Sequence, residues 1–346
     1  MNKTKFTLTI FITLFILSSV FTLIDINATS IHQVSGLSPL QTQLDNAASY
    51  LLSRYNSILG LVANSEDEGL NPIKDPLIAP VPCNATYWVY SDNLWSGYAL
   101  QPFNEEIADN VTDTVQQYIA EWGWPMFFEV CIGKPIPTVI HAGNDTVTFD
   151  GIVNGTHVQV LLDRHQPKDN PSIFNDTKEY ADLCFYMTLN YWIKGDSVTS
   201  KQWFRLGEDL WNNTTNKGFY DKAAKNVGCY QNYKLGLFLL AQRVTEFDSN
   251  ITDYVETVAW SYQNGLGGIA SQSWLNGSVY GTANAEATSA LLLAYNEQLV
   301  LNIRMSYVNT VLFFVSIIMI LILITVSLII ILKSRRIRQR IIAFFS

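Results

Sequence analysis

The sequence predicts a mainly α protein: an array of helical hairpins with a small antiparallel β insertion, carried on one C-terminal transmembrane helix. Three observations predict it. Short segments of one style, with a polar start, small residues and then a dense apolar face, recur about every 50 residues. One block, about 127–165, alternates apolar and polar residues and is rich in β-branched side chains. Residues 311–332 run for 22 positions without a charge.

The uncharged run would span about 33 Å as a helix, enough for a hydrocarbon core of about 30 Å. A membrane segment at 307–332, with Tyr307 at its outer interface, is followed by a tail, 333–346, holding Lys333, Arg335, Arg336, Arg338 and Arg340. Such a basic cluster stays cytoplasmic, which puts residues 31–306 outside the cell in a single-pass arrangement at the cell membrane, with the bilayer as a partner. Residues 1–30 carry an apolar stretch, 6–24, behind Lys3 and Lys5 and ahead of Ala28-Thr29-Ser30. That is a cleaved signal peptide or an uncleaved anchor, and both leave the middle on the same side.

The formal net charge of −8 hides a division: without the seven basic residues at the two ends, 15 Lys and Arg face 30 Asp and Glu. An acidic middle excludes a general nucleic-acid binder. Besides Asn2 at the very start, ten Asn-x-Ser/Thr triplets, at Asn27, Asn84, Asn110, Asn144, Asn154, Asn175, Asn212, Asn213, Asn250 and Asn276, all precede the span, as expected of a glycosylated exterior. Cys83, Cys131, Cys184 and Cys229 form an even set outside any CxxC spacing, so two disulfides are expected.

The repeated helices are 41–61, 91–100, 178–192, 232–242 and 282–295, with registers at Gln43, Asn93, Leu183, Tyr233 and Glu286. One interval, 90 residues against 50–53 for the others, is longer by about the length of the β block. Amphipathic second helices lie between them at 104–122, 200–212 and 250–264, with Ser200 and Asn250 as N-cap candidates. Each is followed by a Gly-plus-apolar loop, the pattern of helical hairpins packed side by side. Residues 296–310 contain no Gly or Pro, so the last inner helix is expected to continue nearly into the span.

Residues 218–243 (GFYDKAAKNVGCYQNYKLGLFLLAQR) and 267–295 (GGIASQSWLNGSVYGTANAEATSALLLAY) resemble hairpin units of α/α toroids, the scaffold of six-hairpin glycosidases, polysaccharide lyases and sugar epimerases. The resemblance covers most of 40–300 and implies a partial toroid, because about eight helices are present where a full one has twelve. It implies a carbohydrate as substrate or ligand.

No nucleotide, zinc-hydrolase or serine-hydrolase motif occurs in the chain. The polar residues that open the inner helices remain as candidates. Glycoside hydrolysis needs two carboxyl groups facing one bond, which Glu286, Asp92, Asp182 and Asp221 could supply, with Glu286 foremost because it sits among Ala283, Ala285 and Ala287. Asn93, Trp95, Tyr180, Tyr233, Lys234 and Asn284 are candidate ligand contacts. The competing expectation is a non-catalytic receptor or interaction protein, since Asp, Asn and Glu also cap helices and tryptophans also fill cores. Its partner would be a glycan or another cell-surface protein.

No metal site is expected. Asn64, Glu66, Glu68 and Asp75 have the spacing of a calcium loop, but Asn replaces the first Asp and Pro72 blocks the following helix, so an acidic solvated turn is the preferred reading.

Overall fold

A computed structural model describes residues 39–57, 59–64, 87–120, 127–136, 141–142, 145–153, 156–164, 172–173 and 176–345. The chain divides into two units, 1–42 and 43–346, and of the first only 39–42 are described. The apolar stretch 6–24, its cleavage site and Cys83 lie outside the described residues.

The fold is mainly helical. Four helices, α2 (Tyr90–Leu100), α4 (Ala181–Ile193), α7 (Tyr233–Thr245) and α9 (Ala285–Leu293), are buried on nearly every side. After polar first turns their sequences carry apolar or small residues on every side, which leaves little of the helix to turn to water. Helix α2 packs on α9, α9 on α7 and α7 on α4, and the 3-10 helix Phe127–Ile132 touches both α4 and α2. Leu237, Leu240, Leu291 and Leu292 are among the most buried residues, as expected of this inner layer.

Three of the four inner helices carry an amphipathic partner: α3 (Glu105–Ala120) on α2, α5 (Ser197–Glu208) on α4 and α8 (Thr252–Ser261) on α7. In α5 the buried residues Ser200, Phe204 and Gly207 follow the helical stripe. Close approach is bought with glycine. A Cβ on Gly236 of α7 would lie 2.4 Å from the Ala290 carbonyl carbon and 2.5 Å from the Leu291 nitrogen of α9.

Several expectations need correction. The β block is narrower than 127–165: residues 127–132 form the 3-10 helix, whose Phe128, Val130 and Cys131 are buried in succession rather than alternately. Its core is the antiparallel pair β5 (Asp145–Val153) and β6 (Thr156–Arg164), with β3 (Tyr87–Val89) parallel to β6. Strands β4 (His141–Ala142) and β7 (Ser172–Ile173) pair separately.

A second antiparallel sheet, β8 (Cys229–Gln231), β9 (Ala270–Trp274) and β10 (Val279–Ala283), was not predicted. It lies directly ahead of α7 and α9 in the chain. Helix α1 (Pro39–Ser53) stops short of residue 61 because the chain turns back as β1 (Tyr55–Asn56) against β2 (Leu61–Val62). Between α5 and β8 lies α6 (Lys222–Val227). The expected caps are displaced. Asp196 caps α5, its side chain accepting from the Thr199 amide, while Ser200 lies inside the helix; α8 starts after Ile251 without a side-chain cap.

The last inner helix does not run into the span. It ends at Leu293, and Asn296 opens a new helix, α10 (Glu297–Phe345). The Asn296 side chain accepts from the Leu299 amide at 3.0 Å and donates to the Tyr98 carbonyl at 2.8 Å, so a capping residue, without Gly or Pro, makes the break. Within α10, Leu299, Val300 and Ile303 are buried, Tyr307 stacks on Trp192 at 4.5 Å, and Arg304 pairs with Glu246 at 2.8 Å at the end of α7. Its segment Val315–Arg336 is long and apolar enough to cross a membrane.

The expected disulfides are absent among the described residues: Cys131, Cys184 and Cys229 are buried free thiols. Burial pushes the Cys184 thiol up to about 12, with Asp182 and Asp221 adding to the effect. Such thiols are unreactive core residues.

Candidate functional site

The site is built from the first turns of α4 and α7. Asp221, fully buried, caps α6 by accepting from the Ala224 amide at 3.0 Å, and it also accepts from the Ala181 amide at 3.1 Å. One carboxylate thus fixes the starts of two helices. The Lys234 ammonium donates to the same group at 2.5 Å and stands 3.5 Å from Asp182 Oδ1. The Tyr233 hydroxyl donates to Asp182 Oδ2 at 2.6 Å.

Lys234 is 2% exposed. Burial disfavours its charge, but Asp182 and Asp221 outweigh that, and its pKa is held above the ordinary amine value. Burial, then the Asp182 carboxylate, pushes the Tyr233 phenol well above its ordinary value.

The other two inner helices act on the same group through their charges. Tyr186 is driven well up, first by burial, then by Cys131, Asp182, Glu286 and Asp92. Glu286 also acts on Tyr233. The carboxylates that open α2, α4 and α9 therefore share one neighbourhood with the Tyr233 and Lys234 that open α7. The buried Trp95 packs against this group, its ring 6.4 Å from Tyr186 and 6.5 Å from Tyr233. The Trp95 indole donates to the Phe128 carbonyl at 3.2 Å, which fixes the ring from beneath.

Asp92, Asp182, Asp221, Tyr233, Lys234, Glu286 and Trp95 are thus brought together. Tyr180 adjoins them, standing before α4 with the Lys222 ammonium 5.9 Å from its ring; burial and then Asp176 raise its pKa. Two candidates are occupied otherwise. Asn93 accepts from the Val62 amide at 2.6 Å and donates to the Val62 carbonyl at 3.1 Å, pinning β2 to α2. Asn284 caps α9, accepting from the Ala287 amide at 2.9 Å.

Tyr186 is the residue that sequence reasoning missed. It lies four positions after Asp182 and therefore on the same helix face, the signal that could have found it.

Of the calcium-loop residues only Asn64 is described; its carbonyl accepts from the Ala285 amide at 2.7 Å, and Glu66, Glu68 and Asp75 lie outside the described residues. Among the described residues no group of three His, Cys, Asp or Glu side chains is disposed to hold a metal ion. No family model, curated protein or solved structure matches this chain.

Proposed function

We propose that this is a membrane-anchored exterior protein that binds carbohydrate where its four inner helices begin, on a reduced α/α toroid of three hairpins and a fourth inner helix. The observation that carries the ligand reading is the meeting of Asp92, Asp182, Tyr233, Lys234 and Glu286 around the Trp95, Tyr186 and Tyr233 rings. Carboxylates, hydroxyls and an ammonium beside aromatic rings suit a ligand with hydroxyls on its edges and C–H groups on its faces. Membrane anchoring is supported by the continuous helix α10 with its exposed apolar segment, and the exterior side by the basic tail.

Binding is favoured over hydrolysis because Asp221 and Asp182 are engaged by Lys234, Tyr233 and main-chain amides. Hydrolysis is the second reading, favoured by the shared influence of Asp92 and Glu286 on Tyr186, with Glu286 as the acid.

The full chain in detergent, applied to a glycan array, tests both. Retention of a subset of glycans without new reducing ends, weakened at least tenfold in Glu286→Gln, supports binding. Product formation that disappears in Glu286→Gln while binding persists supports hydrolysis. Retention of no glycan by the wild-type chain overturns the carbohydrate reading.

A further inference from the structure

We infer that Asn276 is an N-glycan acceptor and that the first sugars of that glycan pack on the exposed Trp274–Tyr280 ring pair. This rests on the exterior placement proposed above. The β9–β10 hairpin exposes aromatic surface that the core does not use: Trp274 is 43% and Tyr280 42% exposed, beside Val279 at 54%. The two rings lie 4.1 Å apart between centroids at 37°. A pyranose presents a face of C–H groups that can cover such rings and remove their apolar area from water.

The acceptor sits in the turn that joins the two strands. The Trp274 amide donates to the Ser278 carbonyl at 2.8 Å and the Gly277 amide to the Trp274 carbonyl at 2.7 Å, with Gly277 at φ +87°, where a side chain is disfavoured. The glycine in the middle of the triplet is therefore what this tight turn requires. Asn276 Oδ1 accepts from the Ser278 amide at 2.9 Å and from the Ser278 hydroxyl at 2.8 Å. Among the described residues nothing bonds its Nδ2, and the side chain is exposed. On the other side of the turn Gly277 backs onto the Lys217 chain, since a Cβ there would lie 2.6 Å from Lys217 Cδ.

The remaining described triplets differ. Asn212 Nδ2 donates to the Tyr230 hydroxyl at 2.7 Å, and Asn110 Nδ2 donates to the Tyr55 hydroxyl. A glycan on either has to be carried beside that tyrosine, because only one Nδ2 hydrogen is left for substitution. Asn213 and Asn250 are exposed.

The transfer is redox-neutral. Asn276 Nδ2 bonds to the anomeric carbon of a polyprenyl-phosphate-linked oligosaccharide as the C–O bond to phosphate breaks. The Nδ2 proton goes to a base of the transferase, and the polyprenyl phosphate or diphosphate leaves.

The full chain, expressed in a host that N-glycosylates and purified in detergent, is treated with peptide-N-glycosidase in ¹⁸O-water and mapped by peptide mass spectrometry. Labelled Asp at 276 with Asn212 unlabelled is expected. The glycosylated chain should melt about 2–4 °C above Asn276→Asp. That difference should vanish in Trp274→Ala and return in Trp274→Phe. Label at 213 or 250 with none at 276 overturns the inference and leaves the exterior placement intact; no label at any site overturns both. An occupied Asn276 with a melting difference indifferent to Trp274→Ala overturns the ring packing.

Discussion

Lys234 shows how a single side chain ties the inner helices together. Removing one partner of a buried ion pair leaves the other charge uncompensated, at a cost of about 3–5 kcal/mol. Lys234→Met is therefore expected to lower stability by about that much in urea titrations of the full chain in detergent. Lys234→Met combined with Asp221→Asn should cost less than the sum of the two, because the buried Asp221 carboxylate is then not left as an orphan charge. The pH dependence has a definite sign. Lys234 and Tyr233 have raised pKa values in the folded chain, so the stability they contribute is complete below their unfolded values of about 10.4 and 10. It is lost as pH rises through the folded values. The urea midpoint should hold up to about pH 10 and fall above it, and fall less in Lys234→Met. An equal fall in the variant would refute the role of Lys234. Asp182 and Lys234 were legible as polar residues at helix starts, and Asp221 as a carboxylate in a loop. That Asp221 serves two helix ends and one ammonium was not, because its partners lie 40 and 13 residues away.

At the scale of elements, glycine reads two ways. In a helix interior Gly costs about 0.5–1 kcal/mol relative to Ala, so by propensity alone Gly236→Ala stabilises α7. Against this stands main-chain contact with α9 at 2.4–2.6 Å from the added Cβ, and backbone cannot rotate aside as a side chain does. Overpacking costs about 1–3 kcal/mol, so a net loss of about 1 kcal/mol or more is expected in thermal unfolding. A gain in Tm would mean that α7 and α9 are further apart. The inner helices were readable because a polar start leads into a dense apolar run, and the outer ones because they carry one apolar stripe. The 3-10 helix at Phe127–Ile132 was not, because β-branched and aromatic composition marks burial as much as strand, and alternation over six residues is a weak signal. The break at Asn296 was missed for a related reason: a capping side chain stops one helix and starts another without Gly or Pro.

At the scale of the molecule, α10 joins the folded domain to its apolar segment without a hinge residue, over 49 residues or about 74 Å. The exterior reading predicts that protease added to intact cells expressing the full chain digests the domain and spares a fragment from about residue 307 onward. Protection of the domain, with loss of a tag on the basic tail, would reverse the orientation. Chain order, helix character and the long apolar run were determined by the sequence itself, since burial needs and bilayer thickness act on consecutive residues and leave periodic marks. The tertiary structure alone decided which polar residues meet, that three cysteines stay unpaired in the core, and that Asn93 and Asn284 serve main-chain groups. Those outcomes depend on hydrogen-bond partners and distances between segments far apart in the chain, to which local composition is blind.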